Sequence, residues 1–315
     1  MVSNKELNYD IINFIECIKR RERIMIKLEN DTLTVTILTK GAELTSIKRK
    51  DNKIEYLWQA DPKYWGRHAP VLFPFVGRLK EDRYEVAGKT YPMGQHGFAR
   101  DCEFEIMHQT DSTVTLKLSA SPSTKERYPY AFNLLITYTL TGNTVTTAYH
   151  VENPASDEPL YFSIGAHPGF NIPLTTDTTF EDYYFSFSPR KTRTTIPLSG
   201  AYLNTPCKTL AQTNTDIALT RSLFDNDAMI YETKGENIFT IKSEKTEHSV
   251  AVRFVDFPYV GIWSPPQTDA PFVCIEPWFG IADDMNATGK IEEKLGIQTL
   301  APQKSFEAAF EITVN

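Results

Sequence analysis

From Thr32 onward the chain alternates apolar and polar residues with a period of two. Leu33, Val35 and Ile37 fall on one face, and Thr32, Thr34 and Thr36 on the other. Side chains of an extended strand point to opposite faces in turn, so this alternation predicts half-buried antiparallel strands. Val114, Leu116 and Leu118 repeat it, as do Phe132, Leu134, Ile136, Tyr138 and Leu140. Thr141-Gly142-Asn143 then turns the chain into Thr144 to Glu152, which predicts a hairpin of two long strands. Further strands are expected at Ala42 to Lys48, Glu103 to His108, Tyr183 to Phe187, Met229 to Thr233, Ile238 to Ser243, Val250 to Phe254, Tyr259 to Trp263 and Phe306 to Val314. So many strands without helices between them predict an all-β fold of packed antiparallel sheets.

Ahead of them, Glu6 to Arg23 has a helical period. Ile11, Phe14, Ile15 and Ile18 form a stripe, with Lys19, Arg20, Arg21 and Arg23 near the C-terminal end, where cations suit the helix dipole. The expected organisation is a helical extension over residues 1–24 and a single β domain over residues 25–315. The stripe would be buried against its own domain or against a second copy, as a homodimer. Two stretches escape the alternation: Asp61 to Gly97, rich in Pro, Gly and aromatics, and Pro189 to Asp216, polar and rich in Thr. Long excursions of this kind carry function or lack order.

Composition narrows the function. The abundance of aromatics, 19 Phe and 15 Tyr, favours strands. A net charge of -7 argues against nucleic acid, whose phosphates call for a surplus of Lys and Arg. Cys17, Cys102, Cys207 and Cys274 are far apart and form no Cys-x-x-Cys pair, which fits a reduced, cytoplasmic setting. No apolar run approaches a membrane span and the N-terminus does not read as a secretory signal. Gly-x-Gly-x-x-Gly, Gly-x-x-x-x-Gly-Lys and His-Glu-x-x-His are all absent.

Two apolar runs each deliver one titratable side chain. Tyr161 to Ile164 leads to His167, with Pro168 expected to stop the ladder. Phe272 to Ile275 leads to Glu276, with Pro277 expected to break the strand directly after the carboxylate. A histidine and a glutamate presented by rigid neighbours suit general acid and base catalysis, because modest burial brings both toward neutrality. Within the first excursion, Arg78 and His96 sit in apolar, glycine-punctuated settings, Phe73-Pro74-Phe75-Val76-Gly77-Arg78 and Gly94-Gln95-His96-Gly97-Phe98. A metal held by His96, His167 and Glu276 stays geometrically open, although residues so dispersed form no metal-ligand motif. Trp65, Phe75, Phe170, Trp263 and Trp278 stand near these motifs, and core packing is the favoured expectation for each over a ligand contact, because strand-borne aromatics are ordinary core.

Taken in order, Gly77-Arg78, Gln95-His96-Gly97-Phe98, Gly165-Ala166-His167-Pro168-Gly169-Phe170 and Glu276-Pro277-Trp278 resemble the motifs of the aldose 1-epimerase (galactose mutarotase) family, and more closely a bacterial subgroup of aldose-1-epimerase-like proteins. The resemblance runs from about Met25 to the C-terminus. It implies a β-supersandwich that interconverts the α and β anomers of a free sugar without metal or redox cofactor. His167 would be the general acid and Glu276 the general base, with Arg78 and His96 binding the sugar. The family's further substrate-binding aspartate is best matched by Asp227, with Asp225 competing. Two alternatives remain: an epimerase of hexose 6-phosphates, for which Arg67 and Arg100 are candidate extra cations, and a sugar-binding or sensing protein without turnover.

Overall fold

Asn133–Thr141 and Thr144–Glu152 pair residue for residue as the alternation requires, with one face of each buried and the other half-exposed. They lie within a nine-stranded antiparallel sheet. Its order is Ile217–Ala218, Tyr183–Ser188, Glu236–Ser243, Val250–Val255, Ser305–Val314, Thr144–Glu152, Asn133–Thr141, Thr113–Ser119 and Glu105–Gln109. The protein is described by a computed structural model over residues 24–315. The helix expected over Glu6 to Arg23 lies outside the described residues. Among those residues the α-helix is a single turn, Pro122–Lys125, capped by the Ser121 side chain. No helix among them is long and apolar enough to cross a membrane.

A second, seven-stranded sheet carries Phe272–Phe279 between Tyr259–Trp263 on one side and the short strands Ile164–Gly165 and Gly169–Asn171 on the other. The inward faces of both sheets, with Ile26, Val35 and Ile47 of a three-stranded sheet at the start of the described chain, meet in one continuous apolar core. Burial of that face is the main favourable term holding the sheets together, and it follows directly from the period-two pattern.

The two excursions are ordered. Asp61 to Gly97 includes a hairpin that sequence alternation did not reveal, Arg83–Val86 with Lys89–Pro92, four residues in each strand. Pro189 to Asp216 is held by Arg193, which is 2% exposed. Its guanidinium donates to Asn237 Oδ1 at 2.8 Å and to the Pro189 carbonyl at 3.2 Å, and it lies over the Phe239 ring. A buried cation paired only with neutral acceptors and an aromatic face needs all of them. This anchor pins the polar excursion to the nine-stranded sheet.

One expected strand end is corrected. Pro277 does not end its strand, which continues to Phe279. The Pro277 carbonyl accepts the Ala166 N–H at 3.1 Å, so the missing proline N–H falls on that same side. The Ala166 carbonyl, deprived of that donor, accepts the Trp278 indole N–H at 3.2 Å instead. At Pro168 the ladder is interrupted as expected, with His167 in the unpaired stretch. The ladder lapses after Gly165 opposite Trp278 and resumes with Gly169 opposite Cys274.

Candidate active site

That lapse builds the site. With Gly165 opposite Trp278 and Gly169 opposite Cys274, the register places His167 opposite Glu276. Their side chains meet across the gap, His167 Nε2 lying 3.2 Å from Glu276 Oε2. Along Phe272–Phe279 the alternation sends Val273 and Ile275 into the main core. It turns Phe272, Cys274, Glu276 and Trp278 to the opposite face. The Trp278 indole lies against Gly165 and Gly261 on the two neighbouring strands, and a Cβ at either glycine would collide with it. Both glycines are therefore required by the side chain next to the carboxylate rather than by backbone torsion.

The first excursion supplies the other wall. Leu72 exchanges both backbone hydrogen bonds with Gly165, at 2.9 and 3.0 Å, which lays the segment leading to Arg78 beside the histidine strand. Gly77 and His96 are tied twice: His96 N–H donates to the Gly77 carbonyl at 2.9 Å, and Gly77 N–H donates to His96 Nδ1 at 3.1 Å. Because Nδ1 accepts, a neutral His96 carries its proton on Nε2. The backbone of Glu43's neighbours takes part as well. The Glu43 carboxylate accepts the N–H groups of His68 and Ala69 at 2.8 and 3.2 Å, and the His68 carbonyl accepts Gly169 N–H at 2.9 Å.

A cavity of about 360 Å³ opens onto these groups, within the size range of small-molecule sites. It is lined by Arg78, His96, His167, Asp227 and Glu276, all five of the residues singled out from sequence. Asp225 is not among the lining residues. Asp227 stands in left-handed backbone conformation and its carboxylate accepts the Ala228 N–H at 2.8 Å. Of the candidate aromatics, Trp65, Trp263 and Trp278 reach the cavity, whereas Phe75 and Phe170 are fully buried in the core. Arg100 also lines the cavity, and Arg67 stands behind it, donating to the Arg100 carbonyl at 3.4 Å.

His167 is held mainly by rings. Trp65 stacks on it at 4.7 Å between centroids, and Trp263 and His96 meet it edge-on at 5.6 and 5.5 Å. Its Nδ1 is buried without a protein partner among the described residues. Burial drives the electrostatics: Glu276 is 1% and His167 7% exposed. Desolvation pushes the Glu276 carboxyl well above its usual range, and the negative charge of Asp227 adds to the rise. Desolvation likewise pulls His167 down, with the Arg100 and Arg67 charges adding to the fall. His96 is driven well down by burial first and by the charge of His167 next. Both directions favour the uncharged forms of His167 and Glu276.

One neighbour escaped the sequence reading. Cys274 lies two residues before Glu276 on the same face, and one ligand atom each of His167, Cys274 and Glu276 fall within 4.8 Å of one another. The metal set open at the sequence level used His96 in place of this thiol. Strand period alone signals the proximity of Cys274 to Glu276. The thiol is fully buried, and desolvation holds it protonated well above the usual range, so a metal would have to displace that proton.

Comparison with known proteins identifies the family to which this fold and site belong. Residues 25–312 match the family model for aldose 1-epimerase, and the chain belongs to that family. A galactose mutarotase related enzyme from Lactobacillus acidophilus is 43% identical, with a TM-score of 0.91 over 93% of this chain and 97% of that one. A galactose mutarotase-like protein from Lactobacillus casei ATCC 334 is 33% identical, with a TM-score of 0.85 over 93% and 100%. Protein LacX, chromosomal, from Lactococcus lactis subsp. lactis is 33% identical over 297 residues, covering 92% of this chain and 99% of that protein. The sandwich is thus the galactose mutarotase-like β-supersandwich expected from the motifs.

Proposed function

We propose that this protein is an aldose 1-epimerase, interconverting the α and β anomers of a hexose with His167 and Glu276 as its acid and base. The observation that carries the reading is the placement of these two groups opposite one another, 3.2 Å apart, at the only break in the pairing between their strands. In each direction of the reaction one of them acts as the acid while the other acts as the base.

Ring opening uses both at once. His167, in its protonated form, gives its proton to the ring oxygen as the C1–O5 bond breaks. The Glu276 carboxylate takes the proton of the C1 hydroxyl as the C1 carbonyl forms. The products are an open-chain aldehyde, a neutral imidazole and a carboxylic acid. Burial disfavours charge on either side chain, so it favours the neutral pair and hence the open form. Rotation about C1–C2 presents the other carbonyl face. Glu276 then returns its proton to the carbonyl oxygen while His167 recovers one from the C5 hydroxyl, and the ring closes as the other anomer. His96 Nε2–H and the Arg78 guanidinium donate to sugar oxygens, and Asp227 accepts from hydroxyls. Trp65 and Trp263 cover apolar faces of the ring.

Anomer exchange measured by NMR on a panel of aldoses tests the reading. Exchange above the spontaneous rate is expected for at least one of them. Tight sugar binding without exchange would replace the enzyme with a sugar-binding protein.

A further inference from the structure

Two ion pairs among the described residues have both side chains almost wholly out of water. One is His167 with Glu276. The other is Lys294 with Asp283, 2.9 Å apart and 3% and 5% exposed, and the proton transfers above make no use of it. Replacing a buried pair by apolar groups of similar volume often costs nothing, so Coulomb attraction alone does not account for this one. Its other hydrogen bonds show what it holds.

Lys294 Nζ also donates to the Ile281 carbonyl at 2.6 Å, and Asp283 Oδ2 accepts the Lys80 N–H at 2.8 Å. The Asp283 N–H in turn donates to the Arg78 carbonyl at 2.9 Å. Ala282 packs so closely on Gly77 that a Cβ at the glycine would fall 2.5 Å from the alanine Cβ. The segment through Gly77, Arg78 and Lys80 is therefore laid against Ile281 to Asp283, which continues from the strand that carries Glu276. The buried pair fixes that join, and Ala282 at the join forms part of the cavity wall.

The Arg78 side chain has little of its own to place it. Its Nε is buried without a hydrogen-bond partner among the described residues and stands 3.5 Å from Asp82. Where the guanidinium meets a sugar thus depends on where the Arg78 backbone stands relative to Glu276. We infer that Asp283 and Lys294 are positioning residues for Arg78, holding it where it can donate to the sugar while Glu276 takes the proton. Neither of the two lines the cavity. The inference rests on the sugar-binding role proposed above for Arg78.

The test measures kcat and KM separately, by NMR anomer exchange with the aldose that the wild type exchanges fastest. Lys80 opens the 3-10 turn Lys80–Asp82 after an extended Leu79, a place that suits proline. Lys80→Pro deletes the N–H that the Asp283 carboxylate accepts and leaves both buried charges paired. KM should rise roughly three- to tenfold, the worth of one hydrogen bond to a charged group, with kcat changed much less. Asp283→Asn combined with Lys294→Met removes both charges at once. Its melting temperature should stay nearer the wild type than that of Lys294→Met alone, which strands a carboxylate, while its KM rises at least as far as in Lys80→Pro. In an Arg78→Ala background neither change should raise KM further, because the group they position is gone.

A rise of equal size with and without Arg78 overturns the inference and leaves the pair a purely structural one, as does a wild-type KM in both Lys80→Pro and the double variant. If neither variant folds, the unaltered protein decides: saturating sugar should slow amide hydrogen exchange at Lys80 and Asp283, and unchanged exchange there overturns the inference. A wild-type KM in Arg78→Ala would remove Arg78 from sugar binding, and this inference with it, while leaving the acid and base assignments intact.

Discussion

Two neighbouring-strand pairs show opposite uses of the same antiparallel geometry. In Asn133–Thr141 with Thr144–Glu152, buried and half-exposed residues alternate along nearly the whole length, and the half-exposed face carries Thr, Asn, His and Glu. There His150 sits between Glu152 and Glu307, wet and paired. In Phe272–Phe279 seven successive residues are buried, because the core covers one face and the excursions cover the other. A carboxylate on the first pair is ordinary solvated surface. On the second it is cut off from water, and its proton affinity is set by the few groups that touch it. The difference lies in what covers the second face, and it separates scaffold from chemistry.

The largest effect that would sharpen this contrast is expected from Glu276→Gln. The amide keeps the shape but cannot take the proton, so anomer exchange should be abolished while folding and sugar binding persist. Near-normal exchange in this variant would remove Glu276 from the mechanism. His167→Asn should lose at least about a hundredfold in kcat, the usual scale for a lost acid or base. The pH profile carries the same information. Since burial draws His167 down to about 3 and pushes Glu276 up, His167 is expected to gain a proton only at low pH and Glu276 to lose one only above the usual carboxylate range. Exchange should then stay flat through weakly acidic and neutral pH. An acid limb near the ordinary imidazole value would show that His167 titrates as an exposed group does. EDTA should leave the rate unchanged; loss on chelation and recovery with zinc would instead make His167, Cys274 and Glu276 a metal centre.

Substitutions without ionisable groups probe the same comparison more gently. Gly261→Ala drives a methyl into the Trp278 indole, which supplies the donor that Pro277 lacks. Overpacking of this kind costs about 1–3 kcal/mol, and here kcat should fall with stability because the displaced ring adjoins Glu276. Ile136→Ala, in the regular hairpin, should destabilise by about 2–5 kcal/mol in thermal or denaturant unfolding. Its kcat, measured where the variant is folded, should match the wild type. A large loss of kcat from Ile136→Ala would show that the scaffold and the site are not separable in this way.

The scaffold was legible because half-buried strands write their environment into a period of two, and the long hairpin at Thr141-Gly142-Asn143 needed nothing more. The site was legible in part. Apolar runs ending in His167 and Glu276 announce buried titratable groups, but Pro277 misled. A proline is compatible with a central strand when a side chain such as Trp278 supplies the missing donor, which no local pattern reveals. The register that sets His167 opposite Glu276 is likewise a property of paired strands. Arg193 and the hairpin Arg83–Val86 with Lys89–Pro92 were missed for a related reason. Polar excursions declare their partners only after the sheets to which they are pinned have formed.

The smallest effect is expected at the start of the chain. The period changes at Met25, the first residue of the strand Met25–Glu29, whose Ile26 and Leu28 enter the common core. We propose that the β domain begins there and that residues 1–24 are an addition to it. The groups assigned to proton transfer and sugar binding all lie between Trp65 and Trp278, so a chain starting at Met25 should fold and keep its exchange rate per molecule. The apolar stripe of Ile11, Phe14, Ile15 and Ile18 would be lost with the extension. If that stripe packs on its own domain, truncation lowers the melting temperature at unchanged mass; if it packs on a second copy, sedimentation or light scattering shows a dimer becoming a monomer. Truncation that abolished exchange while circular dichroism still reported an intact β fold would mean that the extension shapes the cavity, and a domain boundary at Met25 would be wrong.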